Sequence, residues 1–297
     1  MSKVTCAIVV TYNPEPEKIS QCVASLTRQV TQVIVVDNGS ANVDSLSMLA
    51  ADNIELIVLG ENKGIAYAQN YGVQIAKKHH CDYFFFSDQD TVFPDDTVEK
   101  LQRIYEQPHA AGQKVGCVSP FFKDLRTNYV HPSVSLNTFT STKIYTHESG
   151  KCLYPSHVIA SGMLISEKAW SEVGPFMEEL FIDWVDTEWC WRAVSKGFII
   201  VQSPDVMISH ELGYGQKNFA GRSVTIHNSF RNYYKIRNAL YLMTFSGYSF
   251  KYRYHLAFHA IKNIVFEVIY SQNKKHSLKV VMKSVADAFR KKMSKGL

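Results

Sequence analysis

The chain has 297 residues, 46% hydrophobic and 12% aromatic, enough to bury a large core and too apolar for a disordered chain. Its net charge of +5 is unevenly spread, because residues 228–297 hold 14 Lys/Arg against only Glu267 and Asp287, so a mildly acidic body carries a strongly basic tail. No run reaches about 18 apolar residues, so no transmembrane helix is expected, and six scattered cysteines without CxxC or metal-ligand spacing read as reduced thiols of a cytosolic protein.

Strand and helix patterns alternate through the first half. Val4–Thr11 is an apolar strand, too short for a leader, ended by Asn13-Pro14. A helix is expected over Glu15–Gln29, with Ile19, Cys22, Val23 and Leu26 on one face. Val33–Val36 is a second strand, closed by Asp37-Asn38-Gly39-Ser40, and Ile54–Leu59 a third. A helix over Gly64–Lys78, a strand over Tyr83–Phe86, a helix over Asp95–Gln107 and a strand over Val115–Val118 complete a βαβα series. That order implies a parallel sheet with right-handed crossovers. Ser119–Ser156, rich in Ser, Thr, Asn and Tyr, reads as strands and loops suited to an acceptor pocket. Further on come a strand over Ile159–Ser166, helices over Glu167–Val173 and Asp186–Lys196, and short strands at Phe198–Val201 and Val206–Ser209. From Asn228 the pattern is helical, broken near Ser246-Gly247 and Ser271-Gln272-Asn273.

The polar residues cluster at strand ends. In open α/β sheets the C-terminal strand edge is where ligands bind. Asp88 and Asp90 follow an aromatic strand directly and suit Mg²⁺ or Mn²⁺ shared with substrate phosphates, although such a pair also occurs merely solvated at a loop start. Asp37 can accept from the imide N–H of a pyrimidine, or can simply hold a turn. Asp183, Asp186 and Glu188 lie among large apolar side chains. One of them suits a general base; the alternative is acidic residues favoured at a helix N-terminus, with Arg192 a surface partner of Glu188. His210, at a strand end, is a candidate third metal ligand. There is no GxGxxG after the first strand and no P-loop, so a dinucleotide enzyme or an ATPase lacks its phosphate loop.

Together, Val9-Val10-Thr11-Tyr12-Asn13, Val36-Asp37-Asn38-Gly39-Ser40, Glu61-Asn62-Lys63-Gly64-Ile65-Ala66, Ser87-Asp88-Gln89-Asp90, Ser161-Gly162 and Phe181–Arg192 resemble family 2 glycosyltransferases. Arg231-Asn232-Tyr233-Tyr234 and Arg237-Asn238 narrow the resemblance to bacterial rhamnosyltransferases of polysaccharide and O-antigen synthesis. The resemblance implies the GT-A fold: α/β, a mainly parallel sheet flanked by helices, with a helical C-terminal extension. The charge split and the helical pattern from Asn228 divide the chain into an expected catalytic part, 1–227, and a basic helical part, 228–297. The resemblance implies donor contacts from Thr11, Asn13, Asp37, Asn62, Gly64, Ile65, Asp88, Gln89 and Asp90, with Asp88, Asp90 and His210 toward a divalent metal. Asp186 matches the catalytic base, preferred over Asp183 because the family's base sits two residues before a Glu. Ser161, Gly162, Asp183 and Trp184 are expected near the acceptor. The reaction implied is inverting transfer of L-rhamnose from dTDP-β-L-rhamnose to a saccharide. Alternatives are another sugar, such as galactofuranose or glucose, from a UDP- or dTDP-donor, and a non-catalytic membrane-bound scaffold.

The tail has its own reading. Lys274, Lys275, Lys279 and Lys283 alternate with Leu278, Val280, Val281 and Met282, a pattern for an amphipathic helix at an anionic membrane. With a polyprenyl-diphosphate-linked acceptor, as the resemblance implies, the protein would work peripherally on the cytoplasmic face of the inner membrane. Nucleic acid is disfavoured: no recognised module is present and the acidic body opposes it.

Overall fold

The computed structural model describes residues 3–49, 51–107, 112–124, 127–145, 150–210, 216–219, 222–225, 229–271 and 273–297, with side chains of 210, 216–219 and 222–225 excepted. The chain forms two compact units. One comprises residues 1–135, 143–177 and 186–211, the other residues 136–142, 178–185 and 212–297.

The first unit is built on a seven-stranded sheet. Its strands are β1 (Thr5–Thr11), β2 (Gln32–Asp37), β3 (Ile54–Val58), β4 (Tyr83–Asp88), β5 (Lys114–Asp124), β8 (Leu164–Ser166) and β9 (Phe198–His210), in the order β3-β2-β1-β4-β8-β5-β9. β8 runs antiparallel to its neighbours β4 and β5; the other pairings are parallel. This is the mainly parallel α/β sheet expected. Every residue of β1 is buried, because helices cover both faces. Ala7, Val9, Val33, Val35 and Phe85 meet Ile19, Cys22, Val23 and Leu26 of α1 (Pro16–Thr27) and Val98, Leu101 and Ile104 of α3 (Thr97–Glu106). The other face carries α2 (Ile65–Lys78) and an aromatic cluster, in which Trp170 of α4 (Glu167–Val173) packs on Phe86 at 5.7 Å and on Phe176 at 5.1 Å. Trp189 of α5 (Val185–Ser195) stacks on Trp170 at 6.4 Å.

Three expectations are corrected. The strand foreseen over Ile159–Ser166 is confined to Leu164–Ser166, because residues 160–163 turn: Gly162 sits at φ +84° and donates to the Phe86 carbonyl at 2.8 Å. The two strands foreseen between Phe198 and Ser209 are one, β9. Its register against β5 jumps from Pro120–Ser203 to Phe121–Met207, which accommodates Pro204, a residue with no N–H for the ladder. The cysteines are not all reduced: Cys6 and Cys81 stand 6.0 Å apart at Cα and are joined as a disulfide, a separation that adjacent strand starts bring within bonding range.

The second unit contains α6 (Ser229–Phe245), α7 (Phe250–Tyr270) and α8 (Lys274–Phe289), a β10–β11 hairpin (Gln216–Phe219, Arg222–Thr225), the segment 178–185, and the tip of a hairpin formed by β6 (Ser133–Leu136) and β7 (Ser141–Ile144). The helix breaks fall where Ser-Gly and Ser-Gln-Asn interrupt the sequence pattern. Among the described residues, no helix is long and apolar enough to cross a membrane.

Lys235 is half-buried in this unit. Burial, first, and the neighbouring Arg231 and Lys262 lower its ammonium from 10.5 to about 8, with Asp183 opposing. The unfolded chain therefore holds more protons between these two values, and the stability linked to Lys235 rises with pH across that interval. Lys235→Met is expected to raise Tm near pH ~7, with the gain shrinking toward pH ~10. Melting curves at the two pH values check it, and an equal effect at both contradicts it.

Candidate active site

The carboxyl ends of β1, β2 and β4 lie side by side, since Thr11 is in register with Asp37 and Val10 with Asp88. Asp37 is wholly buried. Its Oδ1 accepts from Thr11 Oγ1 at 3.1 Å and from the Ser40 hydroxyl, and its Oδ2 accepts from the backbone N–H of Gly39 and Ser40 at 3.1 and 3.0 Å. A carboxylate has about four acceptor positions, so Asp37 is saturated by its own turn and Thr11. Reading a nucleobase imide would require it to exchange one of these bonds.

The same turn supports its neighbours. Asn13, at φ 47°, donates its backbone N–H to Ser40 Oγ at 2.8 Å and accepts from the Ala41 N–H through Oδ1 at 2.8 Å. Asn38 accepts from the Lys63 N–H at 2.9 Å and donates to Asn62 Oδ1 at 3.2 Å, and Asn62 Oδ1 also accepts from the Gly64 N–H at 3.0 Å. Asn62 and Gly64 are thereby fixed at the start of α2, with Ile65 its first residue. The opening amides of a helix this long favour a phosphate. Gly39 makes the arrangement possible, because its φ is +83° and a Cβ there would lie 2.4 Å from the backbone carbon of Glu61. Gly39→Ala is expected to cost about 1–3 kcal/mol in backbone strain alone, more if the 61–62 segment moves, and to weaken nucleotide binding. Calorimetric titration of the nucleotide with both proteins checks this.

Asp88, Gln89 and Asp90 are partly exposed at the end of β4. Gln89 clamps the backbone of Tyr12, accepting from its N–H at 2.8 Å and donating to its carbonyl at 3.4 Å, so Gln89 positions the β1 end. Beneath the two carboxylates, burial, reinforced by the charges of Asp90 and Asp88 and opposed by the Ser87 hydroxyl, pushes the Cys22 thiol up to about 12. It stays a neutral donor to the Asp88 carbonyl at 3.4 Å.

The 160–162 turn links this edge to α5. The Ser161 hydroxyl accepts from the Asp88 N–H at 3.4 Å and bonds the Thr91 hydroxyl at 2.9 Å. One residue earlier, the Ala160 N–H donates to Asp186 Oδ2 at 3.2 Å. Asp186 Oδ1 accepts from the Thr187 N–H at 2.7 Å and its hydroxyl at 3.3 Å. The turn is tight, because a Cβ on Gly162 would stand 2.6 Å from Pro120 Cγ. Glu188, expected with Arg192 at the surface, is instead 1% exposed and paired in bidentate fashion with Arg192 at 2.9 and 2.9 Å, while Arg192 also donates to the carbonyls of Val173 and Pro175. Glu188 therefore braces α5. A cavity of about 300 Å³ opens beside the end of β5, with Ser119, Tyr129, His131, Lys143, His157 and Gln202 among its lining.

Asp183 and Trp184 belong to the second unit and are engaged there. Asp183 forms a bidentate pair with Arg231, at 2.7 and 3.3 Å. Trp184 donates its indole N–H to the Lys235 carbonyl at 3.2 Å. Asn238 donates to the carbonyls of Leu180, Ile182 and Asp183, and the wholly buried Arg237 donates to those of Glu179, Leu180 and Ser294. Nothing in the local sequence of 178–185 announces these partners, which arrive from more than 45 residues away.

Two carboxylates at one strand end fit a divalent cation that completes its shell with water and diphosphate oxygens. The backbone of His210 ends β9 opposite Asp124, and its side chain lies outside the described residues. Among the described residues no group of three His, Cys, Asp or Glu stands ready to hold a metal.

The family model "Glycosyl transferase family 2" matches residues 6–169. The dTDP-rhamnosyl transferase RfbF of Shigella flexneri is 32% identical over 238 residues, 80% of this chain and 79% of that one. The crystal structure of S. aureus TarS 1-349 superposes with a TM-score of 0.58 at 14% identity, over 96% of this chain and 80% of that one. That of GalNAc-T7 with UDP, GalNAc and Mn²⁺ gives 0.56 at 11% identity, over 95% of this chain and 55% of that one. The fold is GT-A, as the sequence motifs implied.

Proposed function

The chain belongs to glycosyl transferase family 2 and is a glycosyltransferase; on that premise we propose that it transfers L-rhamnose from dTDP-β-L-rhamnose, with inversion, to a hydroxyl of a polyprenyl-diphosphate-linked saccharide during polysaccharide synthesis. The likeness to a dTDP-rhamnosyl transferase over most of both chains supports the donor. The observation that carries the reading is the 160–162 turn, which ties the Asp88 strand end to Asp186 through two adjacent residues.

In this mechanism Asp186 takes the proton of the acceptor hydroxyl. The oxygen attacks the anomeric carbon from the face opposite the diphosphate, the bond from that carbon to the phosphate oxygen breaks, and dTDP leaves, so the β-donor yields an α-L-rhamnoside. Asp186 suits the base better than Asp183, whose carboxylate Arg231 neutralises. Asp88 and Asp90 would hold Mg²⁺ or Mn²⁺, which supplies Lewis-acid stabilisation to the departing diphosphate. Thr11, Asn13, Asp37 and Gln89 keep the strand ends in place for the nucleotide, and Asn62, Gly64 and Ile65 present the α2 amides to the diphosphate. The cavity lined by His157, Val158 and Ile159, the residues that lead into the 160–162 turn, receives the acceptor sugar. The catalytic part lies within 1–227, and the basic part, 228–297, brings the enzyme to the cytoplasmic face of the membrane that carries the acceptor.

Asp90→Asn is expected to weaken donor binding about tenfold or more with Mg²⁺, the loss of one charge-assisted contact, and to leave metal-free binding unchanged. Titration with and without EDTA checks it. The reading as a whole is tested by incubating the protein with dTDP-β-L-rhamnose and lipid-linked saccharides extracted from bacterial membranes. Release of dTDP with an α-L-rhamnosyl product by NMR is expected. Turnover of UDP-glucose instead, or of no donor, overturns it.

A further inference from the structure

The helices of the second unit leave an apolar face uncovered. On α7 the exposed apolar side chains are Phe250, Phe258, Ile261, Val265, Val268 and Ile269. At 100° per residue they fall, with the partly buried Tyr254, in one arc of about 100°, and at 1.5 Å per residue the stripe is about 28 Å long. Tyr252, His255, Leu256 and Ala260 are buried on the other side, so the stripe is additional to the core. Ile261 is 62% exposed. The stripe continues onto the hairpin tip, where Phe139 meets Phe250 at 5.9 Å and Tyr254 at 5.2 Å. α8 exposes a shorter apolar line, Leu278, Met282 and Phe289, with Lys274, Lys275 and Lys279 at its margins.

Charge decides what covers this face. The two acidic residues of 228–297 are buried: Glu267 accepts from Ser229, Asn232 and Ser277, and Asp287 accepts from Tyr233 and Lys283. The exposed charges of α7 and α8, among them Arg253, Lys262, Lys274, Lys275 and Lys279, are positive. A second copy laid stripe to stripe would set one positive margin against another. The fitting occupant is apolar below and anionic at its rim. One side of α7 is packed in the unit and the exposed remainder is an apolar stripe bordered by Lys251, Arg253 and Lys262; the helix is not apolar enough to cross a membrane, so it suits a position in the membrane plane.

We propose that the α7 stripe, extended by Phe139 and by the apolar line of α8, inserts into the interfacial layer of a bilayer containing anionic lipids. The inference deepens the proposed membrane site of action, and it places the main contact on α7, where the sequence pattern pointed to α8. The test is flotation of the full chain with liposomes of phosphatidylethanolamine and phosphatidylglycerol, against liposomes of phosphatidylcholine. Binding to the first and not the second is expected, with partition at least about tenfold weaker for the double variant I261D/V265D. Binding of dTDP-β-L-rhamnose, titrated in parallel, is expected unchanged in that variant, which shows that it is folded. Full flotation of the variant overturns the proposal, as does failure of the unmodified protein to float with anionic liposomes. A dimer in lipid-free buffer that the double variant converts to monomer also overturns it, in favour of a second copy. A protein that floats as expected but binds no dTDP-sugar supports this surface and refutes the proposed donor.

Discussion

Asp186→Asn is expected to lower kcat by about 10²–10⁴-fold, the contribution of a positioned general base, while donor affinity stays within about twofold, well under the tenfold that 1.4 kcal/mol would give. Asparagine keeps one oxygen, so part of the bonding to the Ala160 N–H and to Thr187 can persist and the 160–162 turn has reason to hold. The substitution therefore separates proton removal from scaffolding. Paired measurements of kcat and of the donor dissociation constant check it. A variant with near-normal kcat would remove Asp186 from the chemistry. A variant that loses donor binding as well would recast Asp186 as a residue that holds the turn.

Arg237→Ala is expected to have the largest effect on stability. The guanidinium is wholly buried, lies 4.7 Å over the Tyr234 ring, and donates to three backbone carbonyls and to Asn238 Oδ1. Truncation leaves those carbonyls without their donor and opens a cavity. Losing charge-assisted bonds of about 1.5–3 kcal/mol each, with partial relaxation, gives a cost of about 3–5 kcal/mol, or roughly 10 °C in Tm for a chain of this size. The segment it holds is strained, with Phe181, Asp183 and Trp184 at φ 64°, 63° and 70°. Residues that carry a side chain rarely adopt such backbone angles unless the surroundings impose them. Since 178–185 runs directly into α5, activity is expected to fall with stability. Thermal melts together with donor turnover check both, and a Tm within a degree or two of the parent would contradict the assignment.

The contrast between these two residues shows what sequence patterns carry. The strand ends were legible because each buried strand stops at a polar turn: Thr11, Asp37 and Asp88 sit where the apolar runs give out. The face of α1 was legible for the same reason, since Ile19, Cys22, Val23 and Leu26 follow the helical period and are buried. What escaped depends on contacts distant in sequence. The left-handed residues at 181–184 have no local signature, because Arg237 and Asn238 impose that path. Gly162 interrupts an apolar run that reads as strand, and its turn is explained by the Phe86 carbonyl and Pro120. Glu188 looked like a surface acid, yet its i,i+4 partner Arg192, itself partly exposed, covers and neutralises it. The pattern of α7 announced a helix, but a period alone does not say which apolar stripe meets the core and which remains outside.

Donor choice and metal use are both read by calorimetric titration of dTDP-β-L-rhamnose against UDP-glucose and UDP-galactofuranose, first with Mg²⁺ or Mn²⁺ and then with EDTA. Binding of the rhamnose donor alone is expected, lost or strongly weakened on chelation. Preferential binding of a UDP-sugar would contradict the donor, and metal-independent binding of dTDP-rhamnose would contradict the role given to Asp88 and Asp90.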